Sequence, residues 1–160
     1  LITSGGAAAY LRNDFSGWVG FAFKVGSSPI TVTELGRYVV SGGSGSHAVK
    51  LVKYTEGSPT GAGADVPGGL ATVNASGAAG AYAYTALTAP ITLQAGATYF
   101  LLSQETAGGD RWYDYWNNTI TLSSVVSPVG PTWAYNDTST YNVANPYAAQ
   151  TYGPVNLKYK

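Results

Sequence analysis

The apolar residues of this chain alternate or run in short blocks, each soon interrupted by Gly, Pro, Ser or Asn, so no stretch carries the 3.6-residue period of an amphipathic helix. An all-β fold follows. From Trp18 to Val25 the alternation is clean: Val19, Phe21, Phe23 and Val25 share one face, and Gly20, Ala22 and Lys24 share the other with Trp18. The first set is expected to face the core. Residues 30–40 read as a second strand, with Pro29 setting its start and Gly36 a bulge, and a glycine loop over 41–46 leads into a strand over 47–54. Residues 56–69, with Pro59, Gly61, Gly63, Pro67 and Gly68, predict a surface loop too poor in apolar residues to bury itself. Shorter strands are predicted at 70–73, 81–87, 91–93, 98–104, 111–116, 120–126 and 132–135, and 155–159 closes the chain. About ten short strands without an internal repeat predict a two-sheet antiparallel sandwich of jelly-roll type. At 160 residues the chain is expected to form one domain, 1–160, in which residues 1–10, rich in Gly and Ala, are a flexible arm or one exchanged with a neighbour's edge strand.

Charge narrows the partners. Eight basic and eight acidic residues cancel, which removes the basic footprint that nucleic-acid or anionic-membrane binding requires. Only 10% of residues are charged, against about 25% in an average domain, so the polar surface is neutral, built from Ser, Thr, Asn, Gly and Tyr. No apolar run is long enough for a membrane-spanning helix. The chain contains neither Cys nor Met, which excludes disulfides, thiolate zinc sites and iron–sulfur clusters within it. These features, with no basic and apolar leader, suggest a processed or excised module of extracellular or cell-surface location.

The aromatic residues are unevenly spread. Trp112, Tyr113, Tyr115, Trp116, Trp133, Tyr135, Tyr141, Tyr147 and Tyr152 all fall in the last third of the chain. Strict alternation over 110–118 puts Trp112 and Trp116 on one face with Asp114, and Tyr113 and Tyr115 on the other with Arg111. A core can absorb one such face; the other then presents rings and polar groups outward. A pyranose has an apolar C–H face bordered by hydroxyls, so flat rings cover the former while Asp, Asn or Arg bond the latter. The candidate sugar-binding residues are therefore Asp110, Arg111, Trp112, Tyr113, Tyr115, Trp116 and Asn117, with Trp133 and Tyr135 extending the platform from one strand face. The competing explanation is that these are ordinary core and cross-strand aromatics, which strands favour in any case.

Catalysis is poorly supplied. A glycosidase needs two carboxyl groups facing each other across a cleft, and the chain has five Asp and three Glu. Asp110 and Asp114 share a strand face but are separated by roughly 13 Å of rise. His47, the sole histidine, follows a loop rather than a nucleophile elbow and reads as a hydrogen-bonded residue at a strand entry. The expectation is a non-enzyme that requires no cofactor. A structural calcium ion is the one metal such a sandwich would accommodate, with Asp14, Asp65 and Asp137 as the carboxylate candidates, although no loop spacing ties them together.

Six segments carry a family resemblance: LRNDFSGWVG (11–20), LGRYVV (35–40), SHAVKL (46–51), LQAGATY (93–99), GGDRWY (108–113) and YGPVNLKY (152–159). Together they resemble a β-sandwich module that recurs in secreted and cell-surface bacterial proteins, sometimes beside carbohydrate-active catalytic domains. The resemblance implies a non-catalytic accessory module, similar in kind to carbohydrate-binding modules, and carries no functional residues with it. Two functions remain open. One is binding of a neutral polysaccharide by aromatic stacking. The other is a structural role in an extracellular filament, surface layer or adhesin, with neighbouring copies joined by strand addition or edge packing.

Overall fold

The computed structural model describes residues 1–5, 10–55, 61–114, 120–136, 139–144, 150–152 and 155–160. Among them every regular element is a strand: β1 (Ile2–Gly5), β2 (Leu11–Arg12), β3 (Gly17–Val25), β4 (Ile30–Tyr38), β5 (Ser46–Tyr54), β6 (Gly63–Asn74), β7 (Tyr82–Leu93), β8 (Thr98–Glu105), β9 (Trp112–Tyr113), β10 (Ile120–Leu122), β11 (Val126–Tyr135), β12 (Asn142–Val143) and β13 (Val155–Tyr159).

The pairing is nested. The chain doubles back between β5 and β6, and each earlier strand then pairs antiparallel with its counterpart on the return: β5 with β6, β4 with β7, β3 with β8, β2 with β9 and β1 with β10. Such a rolled-up long hairpin is what a jelly roll is. The roll splits into a six-stranded sheet ordered β12-β11-β3-β8-β5-β6 and a three-stranded sheet ordered β13-β4-β7, with the β1-β10 and β2-β9 ribbons beside them.

The core lies between the two main sheets. Phe21, Phe23 and Val25 of β3 meet Val49, Leu51 and Leu101 from the large sheet and Val32, Leu35, Leu93 and Leu157 from the small one. Full burial of each large apolar side chain contributes roughly 1.5–3 kcal/mol. The opposite face of the large sheet is also covered over part of its area: Tyr141, beyond the end of β11, lies on Phe100 with ring centroids 5.0 Å apart and shields Ala22, Val52, Leu102 and Ala134. That second layer explains why β3 is apolar on both faces over residues 19–23.

Three boundaries differ from the sequence expectation. Residues 63–69, expected in a surface loop, belong to β6, which runs beside β5 at the edge of its sheet. Lys50 pairs with Leu70 but Val52 pairs with Asp65, so Val66–Gly69 bulge out opposite Leu51. An edge bulge accommodates Pro67 and the left-handed Gly68 (φ 73°) without loss of the ladder on either side. β7 absorbs the two strands predicted at 81–87 and 91–93 by the same device, with a register shift opposite Val32 and Glu34. The strand predicted at 120–126 is instead divided between β10 and β11, whose long body carries Pro128 where β12 does not reach it.

Of the N-terminal segment 1–10, expected to be flexible or exchanged, residues 1–5 are partnered within the chain and residues 6–9 lie outside the described residues. β1 pairs with β10, Leu1 is buried, and the Asn156 amide accepts from Ile2 N–H at 2.8 Å and donates to the Ile2 carbonyl at 3.4 Å.

Candidate functional site

At one end of the sandwich the inner face of the β3–β11 pair runs out beyond the small sheet and is covered by the β2–β9 ribbon. Trp133 and Tyr135 sit on one face of β11, opposite Val19 and Gly17 of β3, and Trp112 comes in from β9 beside Arg12 of β2. Together with Phe15 and Tyr152 these residues line a cleft of about 270 Å³. Its walls are almost all rings. Trp133 and Tyr152 meet edge to face at 5.9 Å, and Phe15 packs against Tyr135 at 5.5 Å. Phe15 reaches this position because Gly17 has no side chain: a Cβ there would stand 2.7 Å from the Phe15 ring.

The rings divide the work. Trp112 is 1% exposed and forms the floor, Trp133 is half-buried, and Tyr135 is 67% exposed at the rim. The Trp112 Nε1–H is buried and has no hydrogen-bond partner among the described residues. An unmade bond of this kind costs about 1–3 kcal/mol. The polar wall is Arg12, whose Nε donates to Asp14 at 2.8 Å and whose Nη1 lies 3.6 Å from Asp114. The Arg12 hydrogen bond holds the Asp14 carboxyl below its usual range. With two carboxylates beside one guanidinium, the wall offers donors without excess positive charge.

The approach to β9 is fixed by a buried ionic chain. Arg37, reaching from the small sheet, gives Nε to Glu105 Oε1 at 3.1 Å and Nη2 to Oε2 at 2.9 Å, and Ser103 Oγ adds a bond at 2.7 Å. His47 Nδ1 lies 3.3 Å from Glu105 Oε2 and 3.1 Å from the Gln104 carbonyl, and Nε2 lies 3.0 Å from Asp110 Oδ2. Asp110 also accepts from the backbone N–H groups of Ser44 and Gly45, and Arg37 Nη2 reaches the Arg111 carbonyl at 3.4 Å. The two residues preceding Trp112 are thereby held from both sides. Burial opposes charge on all three titrating members, but mutual pairing outweighs it. Glu105 is held below its ordinary range by His47 and Arg37, Asp110 below its own by His47 and the two N–H groups, and His47 is raised by Glu105 and Asp110. Both ring nitrogens of His47 are thus engaged within the chain.

The sequence-predicted residues thus fall into distinct places. Trp112, Trp133 and Tyr135 line the cleft. Tyr113 turns to Tyr38 at 5.9 Å, Arg111 is exposed, and Asp110, half-buried, accepts from Gly45 N–H and lies 3.0 Å from His47 Nε2, outside the cleft. Tyr115, Trp116 and Asn117 lie outside the described residues, as does the metal candidate Asp137. Asp14 is paired with Arg12 and Asp65 with Lys50, and no group of three potential ligands forms among the described residues. Arg12 and Phe15 were not anticipated as site residues. They lie a hundred positions before the aromatic segment, and only the β2–β9 pairing brings the two together.

Compared with known proteins, the chain matches no family model, no curated protein and no solved structure.

Proposed function

We propose that this protein is a non-catalytic, extracellular carbohydrate-binding module that receives one neutral sugar ring in the cleft between Trp133, Tyr135, Phe15 and Tyr152. The observation that carries the reading is one cavity of about 270 Å³ walled by Phe15, Trp133, Tyr135 and Tyr152, with Arg12 on its polar side. Ring faces cover the C–H surface of a pyranose, while the Arg12 guanidinium supplies donors to its oxygens. One guanidinium against two carboxylates leaves the Arg12–Asp14–Asp114 group without the positive excess an anionic ligand requires, which suits a neutral one, and binding of this kind is insensitive to salt.

Isothermal calorimetry against a panel of neutral oligosaccharides tests the proposal. The expected result is weak, salt-independent binding that falls at least tenfold in Tyr135→Ala and Trp133→Ala, or about 1.4 kcal/mol, with the fold of each variant checked by circular dichroism. Absence of heat on every neutral glycan rejects it. The assembly reading rests on the segment 1–10, of which β1 is paired with β10 of its own chain and residues 6–9 lie outside the described residues.

A further inference from the structure

A second concavity lies on the opposite face of β3. Along this strand Val19 points into the aromatic cleft, so its neighbour Trp18 points to the outer face of the large sheet, where Lys50 stands on β5. Trp18, Lys50, Gly63, Ala64, Asp65, Ser139 and Tyr141 line a basin of about 590 Å³ there.

Its central feature is a buried cation. Lys50 is 8% exposed, and its Nζ sits 4.3 Å from the Trp18 ring centroid and 5.6 Å from that of Tyr141. Among the described residues the carboxylate paired with it is Asp65, with Nζ to Oδ1 at 2.8 Å. The two ends of this pair are held very differently. The ammonium is already stripped of most of its water and is fixed by two ring faces, whereas the Asp65 side chain is 66% exposed on an edge strand. An ammonium that is already desolvated and positioned meets an incoming anion with most of the cost of ordering removed. A solvent-exposed carboxylate is a counter-ion that leaves at little cost.

We propose that this basin is a second binding site, for the carboxylate of an acidic sugar of the uronic-acid type, with Lys50 meeting the carboxylate and Asp65 as the internal counter-ion it displaces. Trp18 and Tyr141 wall the basin around Lys50, and Ser139 on its rim is the hydroxyl partner. The cation–π contacts keep the ammonium in place while one anion replaces the other. This site stands independently of the neutral-sugar cleft, since it uses the other face of β3 and none of the same side chains.

The test is a titration with sodium glucuronate at constant ionic strength, followed by the indole N–H resonances of the folded chain, with glucose and sodium acetate as parallel probes. Glucuronate is expected to shift the Trp18 indole, and glucose and acetate at the same concentration to leave it in place. Lys50→Met, which keeps the packed stem, is expected to weaken glucuronate binding about tenfold or more. Asp65→Asn is expected to tighten it about two- to fivefold, by removal of the competing anion. That last sign separates the proposal from a merely structural ion pair, and the exposed position of Asp65 keeps the variant folded. An unmoved Trp18 indole with glucuronate, an equal response to acetate, or weaker binding in Asp65→Asn overturns it. Any of these results leaves the Trp133 cleft untouched.

Discussion

Replacing Glu105 by Gln tests the ionic chain beneath β9 at its most exposed point of logic. Glu105 has no solvent-accessible side-chain surface, and neither has Arg37, which donates two hydrogen bonds to it. Gln keeps the shape and one acceptor but removes the charge, leaving a buried guanidinium beside a His47 that has lost its main counter-ion. Breaking a buried pair from one side costs about 3–5 kcal/mol, a large share of the 5–15 kcal/mol that typically separates folded from unfolded chains. In a chain of this size, 1 kcal/mol moves the melting temperature by about 2–4 °C, so a fall of roughly 6–20 °C is expected. Urea unfolding followed by tryptophan fluorescence gives the free energy, with the midpoint lowered at unchanged slope. The double variant Arg37→Met/Glu105→Gln should lose clearly less than the sum of the single losses, because its two changes strike one interaction. A loss below about 1 kcal/mol in Glu105→Gln, or full additivity in the cycle, refutes the assignment of Arg37 and Glu105 as a coupled buried pair.

Three further outcomes follow from the same coordinates. His47 is raised above its ordinary 6.5 in the folded chain, so the stability its charge contributes is complete below that value and declines as pH climbs through the raised one. Urea titrations at stepped pH should show this alkaline decline in the wild type and its absence in His47→Gln. At the acid end Asp110 is held below its ordinary 3.8, so its contribution is present above that value and is lost as pH falls through the depressed one; Asp110→Asn should flatten that limb. Gly17→Ala drives a Cβ into the Phe15 ring and the Ala134 carbonyl at a φ of 152°, and calorimetric melting should show a loss of about 1–3 kcal/mol.

The sequence was most legible where one physical rule decided the outcome. β3 is the clearest case: its period-2 pattern placed Val19, Phe21, Phe23 and Val25 inward, and all four are buried. Trp133 and Tyr135 likewise shared a face by parity alone and share the cleft. β6 was illegible because an edge strand with a bulge tolerates the Pro and Gly that otherwise signal a loop. Parity also separated Trp112 from Tyr113 without showing which was covered, since that depends on β2, a strand a hundred residues away. Asp110 illustrates a different gap. An Asp next to an aromatic run suggests a ligand contact, and nothing in the sequence signals that it also stands beside His47 and the N–H groups of Ser44 and Gly45. Only the nested pairing of strands distant in sequence brings those groups to one place, and no local pattern reports it.

The most direct test of the cleft is the indole N–H spectrum of the folded chain titrated with a neutral oligosaccharide. If the cleft holds a sugar ring, the Trp133 indole resonance shifts, with a smaller ring-current shift at Trp112 on the floor, while Trp18 on the far face of β3 stays still. If the Trp112 and Trp133 indoles keep their positions at saturating concentrations of every neutral glycan tried, the cleft is not a sugar site.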